Sequence, residues 1–281
     1  MKRNETKKPS TCFSARSLSA RSLLIGFLFI MIGGSALTES QGQDHPRPIE
    51  KARRTYMGRI VAQPMSHLGA SWLVRPERND EENATEAFDQ LGIEPGMTLV
   101  DLGCGNGFWT LPMAKACRIA TADQPATPAN GTSSETPDYT GEVLAVDIQR
   151  EMLQKLRANM ARAKVENIVP ILGKVDDPNL PKNEVDMVLL VDVYHEFSHP
   201  ESMLWAIRES LKPEGVIALL EYRAEDPEVP IKPLHKMPKS QIIKEYTASR
   251  LKLVREYNEL PWQHLMFFAR DDSPLPAIEP K

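Results

Sequence analysis

The residues best suited by type and spacing to do chemistry are Asp101-Leu102-Gly103-Cys104-Gly105-Asn106-Gly107. Glycines tolerate positive φ and lack a Cβ, so an alternating triplet lets a ligand lie close against the backbone. Thr98-Leu99-Val100 ahead of the loop reads as a short buried strand, bounded upstream by the turn dipeptide Pro95-Gly96. Residues 108–117 behind it are apolar at helical spacing, so the glycines occupy a strand-to-helix turn. The N-terminus of that helix points free N–H groups and partial positive charge into the same space. A dinucleotide-binding loop would read G-x-G-x-x-G, with an acid about 20 residues further on. Here Phe108 stands where the third glycine of that fingerprint belongs, and the spacing is Asp-x-Gly-x-Gly-x-Gly.

His195-Glu196-Phe197-Ser198-His199 carries a different chemistry, the H-E-x-x-H pattern of zinc metalloproteases. Its two histidines reach one zinc ion only on a helix, where i and i+4 share a face. Pro200 biases His199 away from the helical region, and the match begins directly after a buried strand. An exported zinc protease would also need a third ligand that the sequence does not identify. This reading therefore ranks below one built on the glycine loop.

The elements that position these residues alternate between strand and helix. Residues 141–147 form a strand ending in Asp147, followed by a helix over 149–163. Residues 168–173 form the next strand, and Lys174-Val175-Asp176-Asp177 opens the loop after it. Residues 185–192 are nearly all apolar, as a central parallel strand should be, and end in Asp192. A helix over 201–211, the turn Lys212-Pro213-Glu214-Gly215 and a strand over 216–222 follow. A helix over 239–250 and strands over 251–258 and 263–270, the last two an antiparallel pair, complete an α/β domain. The expected architecture is a doubly wound, mostly parallel seven-stranded sheet. Its ligand should lie at the carboxyl ends of the strands, where Asp101, Asp147, Asp176 and Asp192 fall.

The leading acid, the glycine triplet and its strand–helix context resemble the first motif of class I S-adenosylmethionine-dependent methyltransferases. The turn at Lys212 resembles that family's leucine-lysine-proline-glycine-glycine signature, with Glu214 in place of the first glycine. The resemblance spans about residues 80–270 and implies a Rossmann-like methyltransferase fold with S-adenosylmethionine as cofactor. It assigns Asp101, Gly103, Gly105 and Gly107 to the cofactor loop. It gives Asp147, with Ile148 beside it, the ribose hydroxyls. It gives Asp176, with Val175 beside it and Asp177 as alternate, the adenine amino group. Asp192 would face the methionine moiety, and Tyr194, His195 and Glu196 the acceptor. His195 would serve either as a general base or as a hydrogen-bonded orienter of its loop, and Tyr194 either as a catalytic neighbour or as packing. No metal is implied. A cofactor-binding module without turnover is the non-enzyme alternative.

Residues 1–22 are basic, residues 23–32 apolar, and Gly33-Gly34-Ser35-Ala36 small, the pattern of a secretory signal peptide. Cleavage after Ala36 is one expectation and an uncleaved membrane anchor the other, giving an exported or membrane-attached protein. Since S-adenosylmethionine is made in the cytoplasm, the anchor reading would keep the domain beside its cofactor. With a linker, this segment takes up residues 1–40. A helical preface follows over 41–79, in which His67, Trp72, Arg75 and Arg78 are candidates for the substrate pocket by the same resemblance. The segment 56–82 resembles the preface of small bacterial methyltransferases. The catalytic domain spans 80–281, interrupted over 118–142 by a polar Pro-, Thr- and Ser-rich surface insertion.

The balance of 34 basic against 38 acidic residues argues against non-specific nucleic-acid binding. The acceptor expected is a small molecule. Cys12, Cys104 and Cys117 form no Cys-x-x-Cys pair, which leaves neither a disulfide framework nor a cysteine metal site. Cys104 and Cys117 read as small packing residues.

Overall fold

A computed structural model describes residues 52–118 and 141–281. Nearly continuous apolar runs, buried on both faces, build its central sheet. A hairpin of β1 (Thr55–Tyr56) and β2 (Arg59–Ile60) precedes the short helices α1 (Arg78–Glu82) and α2 (Ala84–Leu91). Alternating units follow: β3 (Thr98–Leu102), α3 (Thr110–Cys117), β4 (Glu142–Asp147), α4 (Arg150–Ala163) and β5 (Ile168–Leu172). Next come β6 (Val185–Val191), α5 (Pro200–Ser210), β7 (Leu211–Tyr222) and α6 (Lys239–Ala248). The chain closes with β8 (Leu251–Tyr257) and β9 (Gln263–Arg270).

The seven strands lie in the order β5-β4-β3-β6-β7-β9-β8. β3 to β7 are mutually parallel, and β9 runs antiparallel to both neighbours. Leu99, Val143 and Leu189 face α2, α3 and α4 through Leu91, Met113 and Leu156. Their neighbours Val100, Leu144 and Val188 face α5 and α6 through Leu204, Ile207, Ile242 and Tyr246. Each such side chain leaves water almost completely, a gain of about 1.5–3 kcal/mol apiece. The chain leaves β3 toward β4 on one side and returns through β6 on the other. That reversal opens a crevice beyond the carboxyl ends of the strands.

Three expectations are corrected. Among its described residues the preface contains no α-helix before α1: Gly58 turns the β1–β2 hairpin, and between Pro64 and α1 only 3-10 turns form, at His67–Gly69 and Trp72–Val74. The helix expected over 80–91 is two helices, because Asn83 adopts a left-handed conformation with φ 51°. Asn tolerates that region better than most residues. The turn at 212–215 lies inside β7, looped out between Leu211, which pairs with Val185, and Val216, which pairs with Met187. A Cβ on Gly215 would stand 2.6 Å from the Val185 carbonyl oxygen, so only glycine lets the loop return so tightly. The signal-like segment, its linker and nearly all of the polar insertion lie outside the described residues. Among the described residues no helix is long and apolar enough to cross a membrane.

Candidate active site

The crevice holds a cleft of about 640 Å³. Gly103 and Gly105 line its floor. A Cβ on Gly103 would meet Val193 Cγ2 at 2.7 Å, and one on Gly105 would meet Leu73 Cδ1 at the same distance. The loop is thus wedged between the end of β6 and the preface. Asp147 accepts hydrogen bonds from Gly105 N (3.0 Å) and Gln149 N (2.8 Å), tying the ends of β3 and β4 together. Burial raises its pKa against the backbone N–H groups of Gln149, Gly105 and Ile148. Ile148 and Val175 also line the cleft and remain 42% and 47% exposed, two apolar surfaces beside that carboxylate.

Other expected residues support the cleft without lining it. Asp101 is buried and accepts a 2.5 Å hydrogen bond from Thr110 Oγ1 at the start of α3. Gly107 packs against α4, where a Cβ would meet Leu156 Cδ1. Asp176 is displaced from its expected place. Lys174 N donates to Asp177 O at 2.7 Å, and the turn this closes leaves Lys174 and Val175, not Asp176, on the cleft wall.

Of the two roles open to Tyr194 the structure favours packing, and the residue does not line the cleft. It is fully buried, with its hydroxyl donating to Glu245 Oε2 at 2.6 Å and its ring against Phe197 and Tyr246. Of the preface candidates, Trp72 and Arg78 reach the cleft. Arg75 stacks over Trp72 at 3.8 Å and pairs with Glu81 and Glu82, while His67 contributes its backbone N–H to Gln149 Oε1.

Asp192 bends the end of β6 into the cleft with φ 51°. Its carboxylate accepts from Gln263 Nε2 at 2.8 Å and lies 4.0 Å from Arg78 Nη2. Burial, with the charges of Glu82 and Glu221, holds its pKa well above the ordinary value, against Arg78 and Gln263. Glu82, fully buried on α1, accepts from Arg78, Arg75 and the Tyr222 hydroxyl at 2.6–2.7 Å. This network fixes α1 to the end of β7, and nothing in the sequence signalled it except the acidic first turns of the helix.

The far wall carries His195. A carboxylate can only accept, so His195 Nδ1 donates to the buried Glu221 Oε2 at 2.7 Å. His195 Nε2 then faces His235 Nδ1 at 2.9 Å. Burial works against protonation of His195, but the Glu221 charge and hydrogen bond outweigh it and the pKa rises. Glu196 Oε1 stands 3.9 Å from His195 Nε2 and 3.8 Å from His235 Nδ1, and accepts from Met65 N at 3.2 Å. Burial pushes the Glu196 carboxyl up to about 7. Glu221 is the penultimate residue of β7, so the strand-end logic applied to Asp147 could have found it. His235 lies in a 3-10 turn, Pro233–His235, with no local signal of function.

The H-E-x-x-H helix does not form. Tyr194–Glu196 is a single 3-10 turn, Phe197 is extended, and His199 precedes Pro200, the first residue of α5. The His199 ring bonds to its neighbour Ser198 Oγ. The geometric requirement of a zinc protease is therefore unmet.

Residues 93–259, well over half of the 281-residue chain, match a family model described as a methyltransferase domain. The chain belongs to this family. It is a class I S-adenosylmethionine-dependent methyltransferase by fold and family, as the glycine loop implied. Among solved structures it is similar to a SAM-dependent methyltransferase from Aquifex aeolicus, with 18% identity over 73% of this chain and 98% of the other, and a TM-score of 0.62. It is also similar to the PH0226 protein of Pyrococcus horikoshii OT3, with 16% identity over 71% and 98% of the two chains and a TM-score of 0.52. At these identities the structural likeness speaks for the fold of this methyltransferase, and the residues of the cleft speak for its chemistry.

Proposed function

We propose that this methyltransferase transfers the methyl group of S-adenosylmethionine to a small-molecule acceptor bound between the glycine loop and the His195 wall. The observation that carries the reading is the shape and chemistry of one cleft. A glycine floor and a strand-end carboxylate, flanked by two exposed apolar side chains, occupy one end. A buried imidazole–carboxylate pair occupies the other.

The residues fit the cofactor. Gly103 and Gly105 present bare backbone to the cleft, where a Cβ would collide with Val193 and Leu73, and Ile148 and Val175 offer apolar faces to a flat base. Asp147 would hold the ribose hydroxyls and Asp192 the ammonium of the methionine moiety. The bound sulfonium supplies an activated methyl group; the chain's task is to align the acceptor in line with it, chiefly a matter of proximity. His195, oriented by Glu221, would position the acceptor and take up a proton from its nucleophilic atom where one must leave. The cleft volume lies in the range of small-molecule sites and, shared with the cofactor, leaves room for a small acceptor.

Calorimetric titration of the full chain with S-adenosylmethionine, beside Asp147→Ala, tests the reading. Removal of a charged hydrogen-bond acceptor costs about 1.5–3 kcal/mol, or at least about tenfold in affinity. Absence of binding to the folded parent would overturn it. Binding that Asp147→Ala leaves unchanged would remove the ribose assignment.

A further inference from the structure

The geometry points to a divalent transition-metal site in the acceptor end of the cleft, formed by His195 Nε2, His235 Nδ1 and Glu196 Oε1. Their ligand atoms lie within 4.8 Å of one another, and all three residues line the cleft. The H-E pair of the sequence motif is thus part of a cluster, but with His235, 40 positions downstream, where the motif would have used His199.

Three features favour a bound ion over a chance meeting of polar groups. First, the donor set is two imidazoles and one carboxylate, the set used by open catalytic zinc and non-haem iron sites, which leave positions for exogenous ligands. Second, His195 Nδ1 is held by a fully buried Glu221 carboxylate at 2.7 Å. Carboxylates that grip the distal nitrogen of a ligating histidine fix its tautomer and raise its basicity, and here they leave the Nε2 lone pair facing the cleft. Third, the two histidine nitrogens face each other at 2.9 Å. In the metal-free protein a single proton lies between them as a hydrogen bond. An ion bonded at about 2.0–2.1 Å to each would replace that proton and spread the nitrogens to about 3.3 Å. His235 is 32% exposed and sits in a short turn, so it can yield by those few tenths of an ångström, while His195 is fixed.

The ion expected is of the borderline class, Zn²⁺ or a neighbour, because imidazole suits it and Mg²⁺ or Ca²⁺ would demand more oxygen ligands. Its open position faces the cleft. Resting on the methyltransferase reading, that position would hold an acceptor's oxygen, nitrogen or sulfur atom, and with the His195 Nε2 lone pair committed to the ion, the ion rather than the imidazole would ease the acceptor's loss of a proton.

The test titrates metal-free full-length protein with Zn²⁺ in a calorimeter and with Co²⁺ by visible absorption. One ion per chain is expected. His235→Ala should weaken binding more than about a hundredfold, the upper end of what losing an outer partner does, and Glu221→Gln by about 10–100-fold. His199→Ala should leave it unchanged. His235 is a turn residue, so its variant remains informative even if changes at His195 impair folding. Absence of stoichiometric Zn²⁺ uptake, or equal isotherms for the parent and His235→Ala, would overturn the site. S-adenosylmethionine is titrated into the same metal-free samples. Cofactor binding without metal binding overturns only the metal site, and metal binding without cofactor binding overturns only the methyltransferase reading.

Discussion

Asp101→Asn should make the protein more stable at neutral pH and less stable in acid, although the residue leads the glycine loop. Asp101 is 3% exposed. Burial, aided by the Asp147 charge, outweighs the Thr110 hydrogen bond and Arg78, and raises its pKa from an ordinary 3.8 to about 6. The folded chain therefore holds this proton more tightly than the unfolded chain does. The contribution of Asp101 to stability is greatest below 3.8, falls as pH rises through the window up to about 6, and is flat above it. At 1.36 kcal/mol per pH unit the loss is about 3 kcal/mol.

Asparagine does not titrate and keeps a carbonyl oxygen for Thr110 Oγ1, but gives up the charged acceptor at a cost of about 1 kcal/mol. The variant should thus be more stable than the parent by about 2 kcal/mol at pH 7.5 and less stable by about 0.5 kcal/mol near pH 4. Urea unfolding followed by fluorescence of the four tryptophans at both pH values measures the difference. A stability difference independent of pH would refute the reasoning, as would a parent more stable than the variant at pH 7.5.

Gly103→Ala combines a φ of +80° with a Cβ 2.7 Å from Val193 Cγ2, whereas Gly92→Ala, at φ +67°, meets nothing within 4 Å. Thermal melts should show a loss of about 1–2 kcal/mol for Gly92→Ala and a further 1–3 for Gly103→Ala, with weakened S-adenosylmethionine binding only in the second. Equal melting losses would mean that the loop and β6 do not press together as described. Tyr194→Phe should cost about 1–2 kcal/mol of stability through the lost Glu245 bond, yet leave turnover almost untouched once an acceptor is found. A loss of about a hundredfold or more in a folded variant, the scale of an acid–base group, would restore Tyr194 to the catalytic centre.

The sequence alone determined the sheet, the glycine turn and the strand-end carboxylates. These signals are local: Val100, Val143 and Val188 sit in runs whose period of two sets their faces, and Gly103 and Gly105 mark a turn that tolerates no side chain. Asp147 and Asp192 could be placed because a parallel strand delivers its last residue to the ligand edge. The same rule overreached at Asp176, where a single turn bond, Lys174 N to Asp177 O, takes the backbone off the wall.

Only the tertiary structure decided what faces the glycine loop. Nothing near Tyr194 in the sequence shows that its hydroxyl is spent on Glu245, 51 residues later. The H-E-x-x-H spacing presupposed a helix that Pro200 and the end of β6 prevent. His195 instead meets Glu221 at the end of β7 and His235 on the turn before α6. Arg78 and Glu82 likewise become a buried pair only when Tyr222 closes over them. Such partnerships depend on which strand ends the sheet order makes neighbours, information carried by the packing of the whole domain and not by any window of the chain.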